Sequence, residues 1–343
     1  MFSSEVIYKY MNLLVTGCFG FIGYNFINFL NNHHKNEFNL IGIDALLSTT
    51  SKKNYNEFKS EKGFIFFEND INNIQEIEYL NKNKINFIIN FAAESHVDNS
   101  ITNPESFIHS NVSGTNAILT YAVKNEVENI LHISTDEVYG SAKDHFFKEE
   151  ETLNPSSPYS ASKASAEMVC NAFKKTYGLN IKMCRPANNY GFYQQPEKLI
   201  PYSIANLINN KNIEVYGDGK NIRHWLHVQD TASAVFEVLI NGDDNSIYNL
   251  GSNEYFTNID VTNLILENLN LDSSRLEFVS DRPGHDFKYA VDISKLTSLG
   301  WAPKFNFKEV LPEIVEWYVN NKSWWNEEYQ NVQKKRKLRK TLI

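Results

Sequence analysis

One short stretch near the start of the chain restricts the possible folds more than any other. Residues 12–15 form an apolar run that passes into a turn with Gly17, Gly20 and Gly23, and apolar residues then recur at helical spacing up to Leu30. Glycines between a strand and a helix allow a sharp turn and a close approach to a pyrophosphate, which the free N–H groups of the helix start would bind. The spacing G-x-x-G-x-x-G is not the commoner G-x-G-x-x-G, and a purely structural tight turn is the alternative.

The apolar run after this helix ends in an acid that favours NAD over NADP. Asp44 follows residues 39–43 at the distance expected for a carboxylate that binds a ribose hydroxyl. A 2′-phosphate would meet a like charge there, which costs about 4 kcal/mol at roughly 4 Å and an effective dielectric of about 20. Further strand-like runs at 64–67, 86–91 and 129–133 alternate with helical patterns. They predict an α/β fold of Rossmann type, with a doubly wound parallel sheet.

The run at 129–133 ends in a group of polar residues that packing does not explain. Thr135 is followed by two adjacent acids, Asp136 and Glu137. Neighbouring carboxylates repel each other and contribute nothing to a core, whereas ligands of parallel sheets bind at the carboxyl ends of the strands. The pattern favours catalysis by the two acids, and a solvated turn is the alternative.

A tyrosine and a lysine follow about twenty residues later at helical spacing. Pro158 marks the start of a helix, so Tyr159 and Lys163 lie at i and i+4 on one face. An ammonium group beside a phenol lowers the phenol pKa and can make it a general base. Taken alone, such a pair is more often a tyrosine that packs on a lysine side chain.

Composition limits the classes of partner and the compartment. The formal net charge of −8 disfavours nucleic acid and anionic membranes, because binding to either requires a basic surface. The three cysteines form no Cys-x-x-Cys pair, so neither a disulfide framework nor a metal site is predicted. No apolar run reaches the roughly 18 residues of a membrane span, and the start of the chain lacks the apolar centre of a signal peptide. We expect a small-molecule partner and a cytoplasmic location.

Together these segments resemble the extended short-chain dehydrogenases and, more narrowly, the nucleotide-sugar 4,6-dehydratases typified by dTDP-glucose 4,6-dehydratase. The resemblance runs from Met11 to about Trp325 and rests on TGCFGFIG (16–23), NFAAESHVDNSI (90–101), HISTDEVYG (132–140), YSASKA (159–164), NNYGFYQQPEKLIP (188–201), YGDGKNIRHWLHVQD (216–230), YNLGSNE (248–254) and DRPGHDFKYAVD (281–292). The Thr-Asp-Glu triplet and Pro-Glu-Lys-Leu-Ile-Pro are the specific motifs. The glycine turn and Tyr-x-x-x-Lys are shared by the whole superfamily.

The resemblance implies a reaction and a role for each catalytic residue. The sugar C4 hydroxyl is oxidised with NAD, water is eliminated across C5 and C6, and the hydride returns to C6. Tyr159 with Lys163 would take the O4 proton and Thr135 would hydrogen-bond O4. Glu137 would remove the C5 proton, and Asp136 would protonate the departing O6 hydroxyl. One acid must therefore be ionised while the other is protonated.

The glycine pattern and the resemblance together give two sets of binding residues. Those expected to contact NAD are Gly17, Gly20, Phe21, Ile22, Gly23, Asp44, Asp70, Ile71, Ala92, Ala93, Ser110, Tyr159, Lys163 and Asn189. Those expected to contact the nucleoside-diphosphate sugar are Ser95, Thr135, Asn188, Lys198, Leu199, Arg223, Asn258, Arg282, His285 and Tyr289. Among the latter, the cations at 198, 223 and 282 are candidates for the diphosphate.

Some departures from the family pattern leave the substrate open. Arg185-Pro186-Ala187, Gln195 and His224 replace residues that are usual in these dehydratases. We interpret these changes as lying near the sugar and phosphate contacts. The main hypothesis is a 4,6-dehydratase of dTDP- or UDP-glucose that serves deoxysugar biosynthesis, for example of the rhamnose type. The alternatives are a UDP-N-acetylglucosamine 4,6-dehydratase, with or without C5 epimerisation, a C4 epimerase or decarboxylase, and an NAD-binding scaffold without turnover.

Changes of pattern along the chain predict its domains. Residues 1–10 form an N-terminal extension and residues 11–187 an NAD-binding Rossmann domain. Residues 188–327 form mainly a smaller C-terminal α/β lobe for the sugar nucleotide, from which some segments return to the first domain. Residues 328–343 form a basic C-terminal tail, in which we expect the run of cations at 334–340 to be solvated. The resemblance further implies a homodimer through the helices beside the sheet.

Overall fold

The computed structural model describes residues 11–143 and 145–339, so the predicted extension at 1–10 and the last four residues of the predicted tail lie outside the described residues. The strands are β1 (Met11–Thr16), β2 (Phe38–Asp44), β3 (Ile65–Glu68), β4 (Phe87–Asn90), β5 (Asn129–Ile133), β6 (Ile181–Pro186), β7 (Asn188–Tyr190), β8 (Ile213–Tyr216), β9 (Ile222–His227), β10 (Ile247–Leu250), β11 (Tyr255–Thr257) and β12 (Leu276–Val279). The α-helices are α1 (Phe21–His33), α2 (Thr49–Phe58), α3 (Glu78–Lys82), α4 (Val97–Thr102), α5 (Pro104–Phe107), α6 (Gly114–Lys124), α7 (Pro158–Tyr177), α8 (Leu199–Ile208), α9 (Val228–Asn241), α10 (Asn258–Asn268), α11 (Ser294–Thr297), α12 (Phe307–Asn320) and α13 (Lys322–Arg339). Short 3₁₀ segments occur at Ile71–Glu76, Asp136–Tyr139 and Ser273–Arg275, and a π-helical segment at Ile108–Ser113.

Seven parallel strands form the central sheet, in the order β10-β6-β5-β4-β1-β2-β3. The chain starts in the middle at β1, runs outward through β2 and β3, and then continues on the other side from β4. The crevice for a ligand in such a sheet lies where the strand order reverses, here between β1 and β4. The predicted Rossmann-type, doubly wound fold is confirmed.

Successive side chains of β1 point to opposite faces of the sheet and pack into two different cores. Leu13 and Val15 pack into the cluster that contains residues of α1 and α9, whereas Leu14 packs into the cluster that contains residues of α6 and α7. A strand buried on both faces has this pattern, because successive side chains point to opposite sides. Since α9 and β10 come from the second half of the chain, that half completes the first core.

The smaller lobe surrounds a separate apolar cluster. Its sheets are β11-β9-β7 and β12-β8. Helices α8, α10, α12 and α13 contribute side chains to this cluster, which includes Trp325 and Tyr318. The lobe therefore has a core of its own beside the carboxyl edge of the large sheet.

The predicted basic tail is part of helix α13, whose residues before 334 are docked, whereas Lys334, Lys335 and Lys337 of the run expected to be solvated are exposed. Tyr329 and Val332 of α13 are buried, and the Tyr329 hydroxyl donates to Asn206 of α8 at 2.8 Å. Glu328 accepts a hydrogen bond from the Thr49 N–H of α2, also at 2.8 Å. The apolar stripe of the helix packs into the core of the smaller lobe, and Glu328 bonds it to the large domain.

The described residues contain neither a helix suited to a membrane nor a cluster suited to a metal. Within residues 11–143 and 145–339, no helix combines the length and the apolar character that a membrane crossing requires. In the same residues no three His, Cys, Asp or Glu side chains are grouped as metal ligands. Cys18, Cys170 and Cys184 are buried free thiols in the two cores of the large domain, where they pack as small apolar side chains.

Candidate active site

The glycine turn between β1 and α1 is as tight as its sequence predicts. Gly17 has φ +64°, and a Cβ atom there would lie 2.6 Å from the Ala92 nitrogen. A Cβ atom at Gly23 would lie 2.2 Å from the Gly17 carbonyl oxygen. No other residue fits either position without displacing backbone. The start of α1 therefore lies directly against the ends of β1 and β4, with its first N–H groups facing the crevice.

Asp44, at the end of β2, holds this turn. Its carboxylate accepts hydrogen bonds from the Phe19 N–H at 2.9 Å and from the Leu46 N–H at 2.8 Å. Burial raises the pKa of Asp44, and these backbone N–H groups oppose the rise. The carboxylate also lines the cavity beside the turn, so a ribose hydroxyl could still reach it.

A cavity of about 490 Å³ extends from the glycine turn along the carboxyl edge of the sheet. We call it the large cavity. Its lining includes all the residues predicted to contact NAD, namely Gly17, Gly20, Phe21, Ile22, Gly23, Asp44, Asp70, Ile71, Ala92, Ala93, Ser110, Tyr159, Lys163 and Asn189. A turn that a Cβ atom would fill, a helix start and a ribose-binding acid are features that fit a dinucleotide. These residues could hold NAD.

The two acids lie at the mouth of β5, between the cofactor residues and the smaller lobe. The chain leaves β5 at Ile133, and the Thr135 hydroxyl caps the following 3₁₀ turn by accepting from the Glu137 N–H at 3.3 Å. Asp136 is buried, and its Oδ2 has no hydrogen-bond partner among the described residues. A buried acceptor without a partner suits a carboxyl group that carries a proton or meets a ligand.

The pKa values of the two acids are shifted by different neighbours. Burial, and then the charge of Glu137, raise the pKa of Asp136 well above its ordinary value. Burial also raises the pKa of Glu137, but Arg282, Lys198 and Arg223 oppose that rise. Both acids therefore have a raised pKa, and the pKa of Glu137 is the one opposed by three cations, so Asp136 is the more strongly biased toward its protonated form. That one acid is protonated while the other is ionised stays a prediction.

Tyr159 and Lys163 reach the same cavity from the first turns of α7. Ser157 caps this helix, and Pro158 stands at its first position. Burial, Glu137 and Asp136 raise the pKa of Tyr159, while a hydrogen bond with Thr135 lowers it. The phenol therefore lies near both acids and the threonine hydroxyl.

The structure corrects the predicted effect of Lys163 on the phenol. Its ammonium donates to the Ile133 carbonyl oxygen at 2.6 Å, and the pKa of Tyr159 rises instead of falling. Burial lowers the pKa of Lys163 to about 8. The lysine fixes the end of β5 in this structure because a buried ammonium needs an acceptor, and the nearest carbonyl supplies it.

A second cavity, of about 170 Å³, lies between the acids and the smaller lobe. We call it the small cavity. Of the residues predicted to contact the substrate, Asn188, Lys198, Leu199, Arg223, Asn258, Arg282, His285 and Tyr289 line it, while Ser95 and Thr135 line the large cavity. Glu137 lines both, as do Asn188, Asn189, Gln194, Glu197 and Lys198. The two cavities therefore meet at Glu137.

Three cations surround this junction. Arg282 pairs with Asp98 at 3.1 Å, and Arg223 donates to the Asp286 carbonyl oxygen at the same distance. The Arg223 guanidinium also lies 4.5 Å from the centroid of the Tyr289 ring. Lys198 donates to the Ser95 carbonyl oxygen at 2.6 Å. Buried or half-buried cations held in this way suit a diphosphate, because their geometry is fixed before the anion binds.

The sequence did not indicate several residues of the small cavity. They are His96, Val97, Asp98, Gln194, Glu197, Ile200, Tyr202, Glu214, Val215, Tyr216, Trp225, Thr262 and Arg336. Arg336 could have been found from the spacing of Trp325, Tyr329 and Val332, which places it on the same helix face as these three buried residues.

Two of the departures from the family pattern lie away from the cavities, which corrects their interpretation. Arg185 is buried against Glu167 of α7, with Nη2 to Oε2 at 2.6 Å. His224 is buried and bonds the Ser252 carbonyl oxygen at 2.6 Å. Neither is among the described residues that line a cavity. Pro186, Ala187 and Gln195 do line the large cavity, as that interpretation expects.

Comparisons with known proteins identify the family of this chain. The family model of GDP-mannose 4,6 dehydratase matches residues 14–314. The low-salt glycan biosynthesis protein Agl12 of Haloferax volcanii is 39% identical over 311 residues, which cover 91% of this chain and 99% of Agl12. A dTDP-glucose 4,6-dehydratase of an Actinoplanes species is 37% identical over 320 residues, which cover 92% of this chain and 100% of that enzyme. The chain belongs to the nucleotide-sugar 4,6-dehydratase family.

A solved structure extends this result to the fold and the cofactor. The dehydratase superposes on DesIV, a dTDP-glucose 4,6-dehydratase from Streptomyces venezuelae crystallised with NAD, with a TM-score of 0.89 and 37% identity. The match covers 93% of this chain and 100% of DesIV. The predicted family, the lyase class and NAD as the cofactor are confirmed.

Proposed function

We propose that this dehydratase converts dTDP-glucose, or UDP-glucose, to its 4-keto-6-deoxy derivative for deoxysugar biosynthesis. The observation that carries the proposal is the position of Glu137 at the junction of the two cavities. A sugar placed there would have the cofactor residues on one side and the diphosphate cations on the other. The relative named for dTDP-glucose supports the choice of nucleotide.

Oxidation at C4 is assigned to the phenol and the threonine hydroxyl. Tyr159 takes the O4 proton, and Thr135 hydrogen-bonds O4. The glycine turn and Asp44 in the large cavity would hold NAD, which would supply the hydride chemistry that links C4 and C6. Burial raises the pKa of Tyr159, so formation of the phenolate needs a cation beside it. Lys163, one turn further along α7, would supply this charge if its ammonium turned from the Ile133 carbonyl oxygen toward the phenol.

Elimination of water is assigned to the two acids. Glu137 removes the C5 proton, which the C4 ketone acidifies, and Asp136 donates a proton to the departing O6 hydroxyl. The C6 hydroxyl leaves as water, and Glu137 returns its proton to C5 when the hydride reaches C6. Three cations oppose the rise in the pKa of Glu137, whereas burial and the charge of Glu137 raise the pKa of Asp136, and this difference supports the assignment.

The alternatives differ in what they require of the site. An epimerase, a decarboxylase or a scaffold does not need two adjacent acids of this kind. Asp136 is buried, with an oxygen that has no partner among the described residues, and Glu137 beside it is half-buried. A UDP-N-acetylglucosamine dehydratase uses the same acids, and Pro186, Ala187 and Gln195 at the large cavity leave this substrate to be tested.

The test is incubation of the NAD-loaded protein with dTDP-glucose, UDP-glucose and UDP-N-acetylglucosamine. We expect dTDP-glucose to lose the mass of one water and to give a product whose absorbance increases in alkali. Mass spectrometry of each mixture identifies the substrate, and proton NMR at C5 shows whether the product is also epimerised. Failure of all three sugars to lose water, or a C4 epimer without loss of mass, would contradict the proposal.

We also propose that the dehydratase is a homodimer that pairs through α7. Met168 and Tyr177 of this helix expose 53% and 57% of their surface. Large side chains exposed on the helix that carries Tyr159 support an interface there. Light scattering of the purified protein should give twice the chain mass, and Met168→Glu should give the mass of one chain. The cytoplasmic location stays a prediction.

A further inference from the structure

Helix α13 places a guanidinium group at one end of the small cavity. Arg336 pairs with Glu214 of β8 and donates to the Tyr216 hydroxyl at 3.4 Å. Its guanidinium carbon lies 4.3 Å from the centroid of the Tyr202 ring. The side chain is 12% exposed. The guanidinium is therefore held in place from β8 and α8 while it lines the cavity.

Arg336 lies apart from the cations assigned to the diphosphate. The Arg336 guanidinium contacts Glu214, Tyr216 and Tyr202, whereas Arg223 packs on Tyr289 and Lys198 donates to Ser95. A series of contacts separates the two regions: Arg282 pairs with Asp98, and Asp98 accepts from the Tyr216 hydroxyl at 3.0 Å. Arg336 follows Tyr216 in this series. It therefore occupies the end of the cavity remote from the reacting carboxylates.

A substrate with its sugar at Glu137 would extend past Arg282 toward this end. Its diphosphate would meet the three cations, so its nucleoside would reach the region of Tyr216, Val215 and Thr262. This region has an aromatic ring, an aliphatic side chain and a hydroxyl, which suit a flat heterocycle. A guanidinium has only donors, so it binds a ring edge that carries carbonyl oxygens.

We propose that Arg336 binds the pyrimidine base of the nucleoside diphosphate sugar by donating to a base carbonyl oxygen. The inference rests on the proposed function, since it takes the nucleotide to be dTDP or UDP. Within the described part of the chain the hydrogen bonds of Arg336 all run through Nη2, so Nη1 and Nε can donate to the base. Glu214 is a positioning residue that holds the guanidinium.

The test compares the binding of nucleotides with the binding of the diphosphate alone. Arg336→Met keeps the length of the side chain and removes its donors, and Lys337→Met is the matched control on the exposed side of the same helix. The NAD-loaded proteins are titrated calorimetrically with dTDP, UDP and inorganic pyrophosphate. We expect Arg336→Met to lower the affinity for dTDP and for UDP by roughly 10- to 100-fold, because hydrogen bonds from a charged donor are lost. Pyrophosphate should bind within about twofold of its original affinity.

Two results would overturn the inference. One is that dTDP binds Arg336→Met with unchanged affinity. The other is that the affinity for pyrophosphate falls as much as the affinity for dTDP. That result would place Arg336 among the phosphate ligands or give it a purely structural role. If Arg336→Met does not fold, Arg336→Lys keeps the charge but not the fork of donors, and the same comparison applies to it. Because binding is measured without turnover, a protein that dehydrates none of the three sugars would refute the proposed function and leave this result standing.

Discussion

Substitution of Glu137 by glutamine tests the central assignment. The amide keeps the shape of the side chain and can still accept the hydrogen bond that Tyr289 donates to Oε2 at 3.4 Å. It cannot accept the C5 proton. Loss of a positioned general base lowers a rate by about 10²- to 10⁴-fold, or roughly 3–5 kcal/mol of activation free energy. We expect a decrease of that size in kcat.

The same substitution should leave substrate binding intact or improve it. Arg282, Lys198 and Arg223 all interact with the charge of Glu137. When that charge is removed, the cations attract the diphosphate more strongly, so KM should stay constant or decrease. A decrease in kcat without an increase in KM is the signature of a group that acts in the transition state alone.

The assay measures the rate of water loss by mass spectrometry over a range of substrate concentrations. The NAD content of each protein is measured after denaturation, and it should be the same in Glu137→Gln and in the original enzyme. Glu150→Gln is the control, because Glu150 is exposed and lines neither cavity. A kcat within tenfold of the original value would refute the role of Glu137 as the C5 base.

Other predictions follow from the same geometry. Tyr159→Phe should retain NAD but lose about 10²- to 10⁴-fold in kcat, which the same rate assay measures. Gly23→Ala should release NAD and destabilise the fold by about 1–3 kcal/mol in urea denaturation, since its Cβ atom would lie 2.2 Å from a carbonyl oxygen; Gly20→Ala, whose nearest contact is 3.3 Å, should be milder. The pKa of Asp136 is higher in the folded state than in the unfolded state. Its ionisation therefore lowers the free energy of unfolding as the pH rises above the pKa of the unfolded state. Asp136→Asn should therefore be more stable than the original protein at about pH 8 and equal to it below about pH 4, as urea denaturation at both pH values will show. The raised pKa of Glu137 likewise predicts an acid limb in kcat/KM that lies above pH 4.5, and a limb below that value would contradict it.

Local patterns were sufficient to predict the part of the site that lies on the large sheet. Gly17 and Glu137 follow the ends of β1 and β5, Asp44 is the last residue of β2, and the ends of parallel strands meet at one edge. The strand period and the glycine spacing are enough to bring these three together. The other cofactor residues, such as Ser110 and Asn189, were named from the family resemblance.

Contacts between distant segments were not accessible in this way. Arg336 meets Glu214 across 122 residues, and Arg282 meets Asp98 across 184. No period or spacing encodes such a pair. The basic composition of residues 334–340 also concealed the apolar stripe of α13, so a docked helix was interpreted as a basic tail. The direction of the Lys163 ammonium depends on which acceptor lies nearest in the buried interior, which only the packed structure gives.

The position of β10 at one end of the large sheet has a consequence for how the polypeptide matures on the ribosome. Until residues 247–250 have emerged, the outer edge of β6 has no neighbour, although the first six strands of this sheet are already synthesised. An uncovered strand edge is a template for unwanted pairing with other chains. The outer edge of β6 therefore stays unpaired while more than 60 residues, from Pro186 to Ile247, are synthesised. The time for which this edge is exposed will depend on translation speed and on chaperones.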